Sequence, residues 1–210
     1  VIGGLLVVAG LVTWVVLDRL RFGSAGAVAM VLLAGVGLGA VVEDPCEIET
    51  TYHCARIQVD PDRPTGRILW LDTLRHSYVD LEDPTHLEFE YAQAFAAGID
   101  ATTPEAEPLD VLHVGGAAYT MPRYLAATRP GSVALVLEID DGLVDLVADE
   151  LEPPEGPDFD VRLGDGRLLV ADLPGDSQDL VIGDAFGGLA VPWHLTTEEF
   201  VEELHRVLRP

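Results

Sequence analysis

The 210-residue chain is 49% hydrophobic and carries 36 acidic against 12 basic residues, a formal net charge of −24. Nucleic acid is excluded as a partner, because all the basic residues are scattered arginines and no cationic stripe can be assembled from them. The length fits one sizeable domain or two small ones, the apolar content is ample for a core, and the acidic surface suits either cationic small molecules or solubility.

The first two segments are the most apolar. Residues 1–17 and 24–42 are rich in Val, Leu, Ala and Gly, and Asp18, Arg19 and Arg21 are the only charged residues between them. This pattern predicts two transmembrane helices joined by a tight loop, and hence a multi-pass membrane localisation with the side of the following domain undetermined. A signal peptide is the competing reading, but it lacks a basic leading region and a second apolar segment follows. The absence of an initiator Met predicts a chain that has lost its start. Because residues 1–42 carry a net charge of +1, the remainder carries −25.

Cys46 and Cys54 are the only cysteines. They suit a disulfide if the domain lies outside the cell, free thiols if it lies inside, or a zinc site shared with His53. Residues 43–105 read as a β-rich cap. Strands are expected over 52–59, 67–71 and 77–81, and the first two are joined by a Pro61-Asp-Arg-Pro-Thr-Gly66 turn. An amphipathic helix over 85–99 places Leu87, Tyr91, Ala94 and Phe95 on one face, and 102–108 is a linker.

From residue 106 onward, strands over 110–114, 132–138, 158–163 and 179–184 alternate with helices near 119–128, 141–150 and 197–208. This alternation predicts an α/β, Rossmann-like parallel sheet of the methyltransferase type. Thr196 and Glu199 form an expected capping box for the last helix. The fourth strand would be an open apolar edge at the C-terminal side, which predicts a fragment of a longer membrane protein.

Chemistry is expected where those strands end. Gly115 and Gly116 allow close backbone approach to a ligand, although the run Gly115-Gly-Ala-Ala-Tyr-Thr120 is not G-x-G-x-x-G and disfavours NAD. Glu138, 22 residues after Gly116, is placed to accept from ribose hydroxyls. Asp165, in Gly164-Asp-Gly166, can accept from an adenine amino group, while Asp184 can act as a base or as a counter-charge for a cation. The glycine-rich loop from Phe186 to His194 is a candidate lid, with His194 either catalytic or structural. His113 is expected in the core, and His53 and His76 at the pocket rim.

These residues, with Tyr52-His53, Leu71-Asp72, Leu87-Glu-Phe-Glu-Tyr91, Glu138-Ile-Asp140 and Pro192-Trp-His-Leu-Thr196, resemble the spermidine synthase family, particularly its membrane-fused bacterial members. The resemblance implies aminopropyl transfer from decarboxylated S-adenosylmethionine to putrescine or a less charged amine, leaving methylthioadenosine, without a metal. By position, Glu138 would bind ribose, Asp165 and Gly166 the adenine, and Asp184 would be the base. Gly115, Gly116 and His53 would complete the adenosyl site. Tyr91, His76 and His194 would form the amine site. A membrane association and a homodimer are further expectations.

The departures from that family lie at its acids. Ala118 stands where the aminopropyl-binding Asp is expected, Gly187 where a second acid is expected, and His53 and His76 where glutamines are expected. Two alternatives therefore stand beside the transferase: a catalytically weak or inactive domain binding a nucleoside or a protein, and an S-adenosylmethionine-dependent methyltransferase.

Overall fold

The computed structural model describes residues 46–104, 106–154 and 158–210. β1 (Ile48–Glu49), β2 (Cys54–Val59), β3 (Gly66–Leu71) and β4 (Leu74–Asp80) form an antiparallel sheet in that order. Its turns have local causes. Thr50 Oγ1 accepts from the amides of Tyr52 and His53 at 3.1 and 2.9 Å, so those two residues turn and β2 begins only at Cys54. The two-residue connection between β3 and β4 places Asp72 at φ 56°, a left-handed conformation that Asp tolerates. Cys46 and Cys54 are joined by a disulfide, which settles the three options for them and removes both sulfurs from any zinc site.

The cap helix, α1 (Glu90–Thr102), starts five residues later than its apolar spacing predicts. Asp80 accepts from the amides of Glu82 and Asp83, and Asp83 accepts from Thr85, so this stretch is held as a polar turn instead. Burial alone would raise the Asp80 carboxyl, but Arg63, Thr65 and those amides hold it well below the usual carboxylate range.

β5 (Asp110–Val114), α2 (Thr120–Thr128), β6 (Val133–Glu138), α3 (Asp141–Leu151), β7 (Phe159–Leu163), α4 (Gly166–Ala171), β8 (Leu180–Gly183), a 3-10 turn (Trp193–Leu195) and α5 (Glu198–Val207) complete the described elements. The four strands are parallel in the order β7-β6-β5-β8. Both faces are covered, which explains the continuous apolar runs. Leu112, Val114, Leu135 and Leu137 pack on α4 and α5, and Val111 and Ile182 pack on α1 and α2. Val136 joins a third cluster in which α3 meets Leu69, Leu71 and Val79 of the cap.

Two expectations shift at this level. α4 is only six residues long, too short for a period to show, and was not expected. The last helix is capped by Thr197, whose Oγ1 accepts from the Phe200 amide at 3.3 Å, and not by Thr196, whose hydroxyl donates to the Trp193 carbonyl.

The transmembrane helices expected over 1–17 and 24–42 lie outside the described residues. Among the described residues no helix is long and apolar enough to cross a membrane. The longest has 13 residues, whereas a span needs about 20. The fold class is corrected accordingly to what the described residues form, a Rossmann-like α/β sheet with a β-rich cap, and these residues do not support the expected multi-pass membrane localisation or membrane partner.

Candidate functional site

A cavity of 490 Å³ lies where the carboxyl ends of β5, β6 and β8 meet the cap. This is the crevice at which an open parallel sheet reverses its strand order, here between β5 and β8. Its floor is the turn after β5. Gly115 has φ 93°, and a Cβ there would lie 2.5 Å from the Asp184 carbonyl oxygen, so only glycine fits between the two strand ends. At Gly116 a Cβ would meet the Tyr119 ring and Val136 at 2.7 and 2.8 Å.

Glu138 ends β6 and holds that floor together. Its Oε2 accepts from the amides of Gly116 and Ala117 at 2.9 and 3.3 Å, and its Oε1 from those of Ile139 and Asp140 at 2.8 and 3.1 Å. The same carboxylate lines the cavity. Asp140 caps α3 through the Leu143 amide and accepts from the Thr50 hydroxyl at 2.6 Å, tying the cap to the sheet. Asp165 caps α4 through the Arg167 amide at 2.8 Å, and its other oxygen lies 3.7 Å from His194 Nε2. Gly166, at the start of α4, is also in the wall.

The opposite wall comes from the cap. His53 Nδ1 lies 3.3 Å from Asp72 Oδ2, and the Cys54 amide donates to Asp72 Oδ1 at 3.0 Å. Those two partners hold the Asp72 carboxyl below its ordinary range. The His53 and His76 rings stand 6.1 Å apart. Burial, helped by the charge of His53, pushes the His76 imidazole down, with Asp72 opposing.

Asp184 follows β8 and is shifted towards basicity. Burial raises its pKa, and a hydrogen bond from Tyr91 opposes that rise. Burial and the Asp184 charge push the Tyr91 phenol up in turn. Tyr91 is not itself in the cavity wall; beside its interaction with Asp184, its hydroxyl lies 3.5 Å from the His76 carbonyl.

The loop after Asp184 supplies Phe186, Gly187, Gly188 and Pro192 to the cavity. Arg167 pins its far end, donating to the His194 carbonyl at 2.7 Å and to Thr197 Oγ1 at 2.6 Å. Arg167 and Thr50 are positioning residues that sequence reasoning missed. Neither long-range tie has a local signal, since Thr197 lies 30 residues from Arg167 and Asp140 lies 90 from Thr50. All the other expected site residues, Gly115, Gly116, Glu138, Asp165, Gly166, Asp184, His53, His76 and His194, border the one cavity. His113 is in the core, as expected. Ala118 is fully buried in the cluster shared by α3 and the cap, and outside the cavity wall.

Fold and cavity together define a Rossmann-like protein of the methyltransferase type, with a ligand-sized crevice at its strand ends. No family model matches the chain. A polyamine aminopropyltransferase of Chromobacterium violaceum is 28% identical over 135 residues, which are 64% of this chain and 50% of that protein. A probable spermidine synthase of Corynebacterium glutamicum superposes with a TM-score of 0.71 at 34% identity, covering 78% of this chain and 60% of the other. A spermidine synthase solved with the transition-state analogue AdoDATO shares the fold, with a TM-score of 0.59 at 20% identity over 77% of this chain and 54% of the other. The resemblance to the spermidine synthase family is thus carried by sequence and fold alike. The chain spans about half the length of the curated relative.

Proposed function

We propose that the chain is an aminopropyltransferase of the spermidine synthase type, using decarboxylated S-adenosylmethionine and an amine, with Asp184 as the base. The observation that carries this is a carboxylate made more basic by burial, in the same crevice as the glycine turn and Glu138. The names of the relatives support the reading.

In the proposed reaction the amine nitrogen attacks the methylene carbon bonded to sulfur. The carbon–sulfur bond breaks, its electron pair stays on sulfur, and methylthioadenosine leaves as a neutral thioether. The proton lost by the amine passes to Asp184, which Tyr91 orients. Gly115, Gly116 and Glu138 bind the ribose side, and Asp165 and Gly166 border the adenine. His53 faces the adenosyl tail, while His76 and His194 line the amine side. A cavity of 490 Å³ is within the range of small-molecule sites.

Release of methylthioadenosine, followed by chromatography, tests the proposal. Asp184→Asn should lower turnover by about a thousandfold, the contribution of a positioned base. Unchanged turnover would remove Asp184 from the role. A second reading, a nucleoside-binding domain with little transfer activity, is favoured by Ala118, which offers no acid at the position where one is expected. Wild-type protein that binds methylthioadenosine but never produces it would establish that reading instead.

A further inference from the structure

Decarboxylated S-adenosylmethionine carries two positive groups, the sulfonium and a primary ammonium at the far end of the three-carbon tail that is transferred. The ammonium takes no part in the bond exchange, so the protein has only to hold it. A site that takes it out of water supplies hydrogen-bond acceptors backed by negative charge. Four carboxylic acids of the described cavity wall, Glu138, Asp140, Asp165 and Asp184, end or follow strands of the parallel sheet. The fifth, Asp72, lies in the β3–β4 turn of the cap.

Asp72 acts on the cavity through His53. Its Oδ1 accepts from the Cys54 amide at 3.0 Å, and its Oδ2 lies 3.3 Å from His53 Nδ1. Those partners hold the carboxyl below its ordinary range, so it is ionised and can only accept. Nδ1 is therefore the ring nitrogen that carries the hydrogen, and in the neutral ring Nε2 is left as an acceptor. The backbone of His53 is spent within its own turn: the amide donates to Thr50 Oγ1 at 2.9 Å, and the carbonyl accepts from the Thr50 amide at 2.8 Å. What His53 offers the cavity it borders is its ring, with the Asp72 charge behind it. The neighbouring His76 ring, 6.1 Å away and pushed down by burial, adds no opposing charge. We infer that His53 Nε2 accepts a hydrogen bond from the terminal ammonium of the donor's aminopropyl tail, and that Asp72 is the positioning residue that fixes the accepting tautomer and supplies the counter-charge. This assignment rests on the aminopropyl-transfer reading, in which Asp184 serves the attacking amine.

The test is calorimetric titration of the full chain at about pH 8.5, where an ordinary imidazole is neutral and a primary ammonium is still charged. Three ligands are compared: decarboxylated S-adenosylmethionine, its S-propyl analogue, which keeps the sulfonium but lacks the terminal amine, and methylthioadenosine. The wild type should bind the amine-bearing sulfonium at least about tenfold more tightly than the propyl analogue, the worth of a hydrogen bond to a charged group. Asp72→Asn should abolish that preference. The Cys54 amide keeps the oxygen of the new side chain towards itself, so its NH2 group donates to His53 Nδ1 and turns Nε2 into a donor that repels an ammonium. His53→Phe should abolish the preference as well, and both variants should bind methylthioadenosine as the wild type does. No preference in the wild type, or a preference that survives both substitutions, overturns the inference while leaving aminopropyl transfer standing. So does an equal loss of all three ligands in the variants, which would mean that the pair only supports the wall. If methylthioadenosine does not bind the wild type, the transferase reading fails, and the inference falls with it. Should Asp72→Asn misfold, the wild-type comparison and His53→Phe still decide.

Discussion

His113 and Asp184 show one physical effect acting on opposite charges. Burial disfavours whichever form is charged, so it raises the Asp184 carboxyl and drives the His113 imidazole down to about 3. His113 is 2% exposed and its Nε2 has no hydrogen-bond partner. In the unfolded chain an imidazole takes up its proton near pH 6.5. Between that value and about 3 the unfolded state therefore binds more protons than the folded one. His113 makes stability fall as pH drops through this window, by about 1.4 kcal/mol per pH unit. Urea unfolding of His113→Leu between pH 4 and 6 should show a pH slope shallower by one proton than that of the wild type. Parallel slopes would mean that the imidazole is protonated in the folded protein.

The turn between β5 and α2 carries a conflict between backbone path and residue type. Gly115, Ala117 and Tyr119 all have positive φ, at 93°, 44° and 59°. Left-handed conformations at non-glycine residues cost about 1–3 kcal/mol and persist where the surroundings impose them. Here the surroundings are Glu138, which holds the amides of Gly116 and Ala117, and the burial of Tyr119 edge-on against Phe159 at 5.1 Å. Neither Ala117 nor Tyr119 is glycine, so the turn follows this path without the residue type that fits it most easily. Ala117→Gly should raise stability by about 0.5–1 kcal/mol, the relief of strain exceeding the added freedom of the unfolded chain. Calorimetric melting would read this as a higher Tm, and a lower Tm would show that the turn is not strained at Ala117.

At the scale of the whole described unit, the cap closes the crevice through a few long-range polar ties. Thr50 reaches Asp140, and Ser77 and the Tyr78 carbonyl meet Thr120 at 2.8 and 2.9 Å. The disulfide closes the short segment that includes Thr50 and carries Tyr52 and His53 into this wall. A cross-link across eight residues stabilises by about 2.5 kcal/mol through the unfolded chain. Replacing Cys46 and Cys54 together by Ser should lower Tm and weaken methylthioadenosine binding, because the wall bearing His53 is released. Unchanged binding and Tm in the double variant, measured without reductant, would show that the disulfide does not support the crevice.

The chain pattern alone determined the α/β alternation, the strands 110–114 and 132–138, and the glycine turn. It also determined which acids end the strands. These are local properties: a strand's apolar run, the residue that ends it and the glycine that follows are contiguous. Sequence spacing could not show that Glu138 would spend both oxygens on four amides, that Arg167 would pin the His194 turn, or that Thr50 would reach Asp140. Nor could it show that the Ala118 position faces the core. Such facts depend on which groups meet after the cap docks on the sheet, and the burial that raises Asp184 and lowers His76 arises only at that step. The sequence determined which side chains could do chemistry, and the tertiary structure decided which of them remain available for it, because hydrogen-bond engagement and desolvation are set by neighbours far away in the chain.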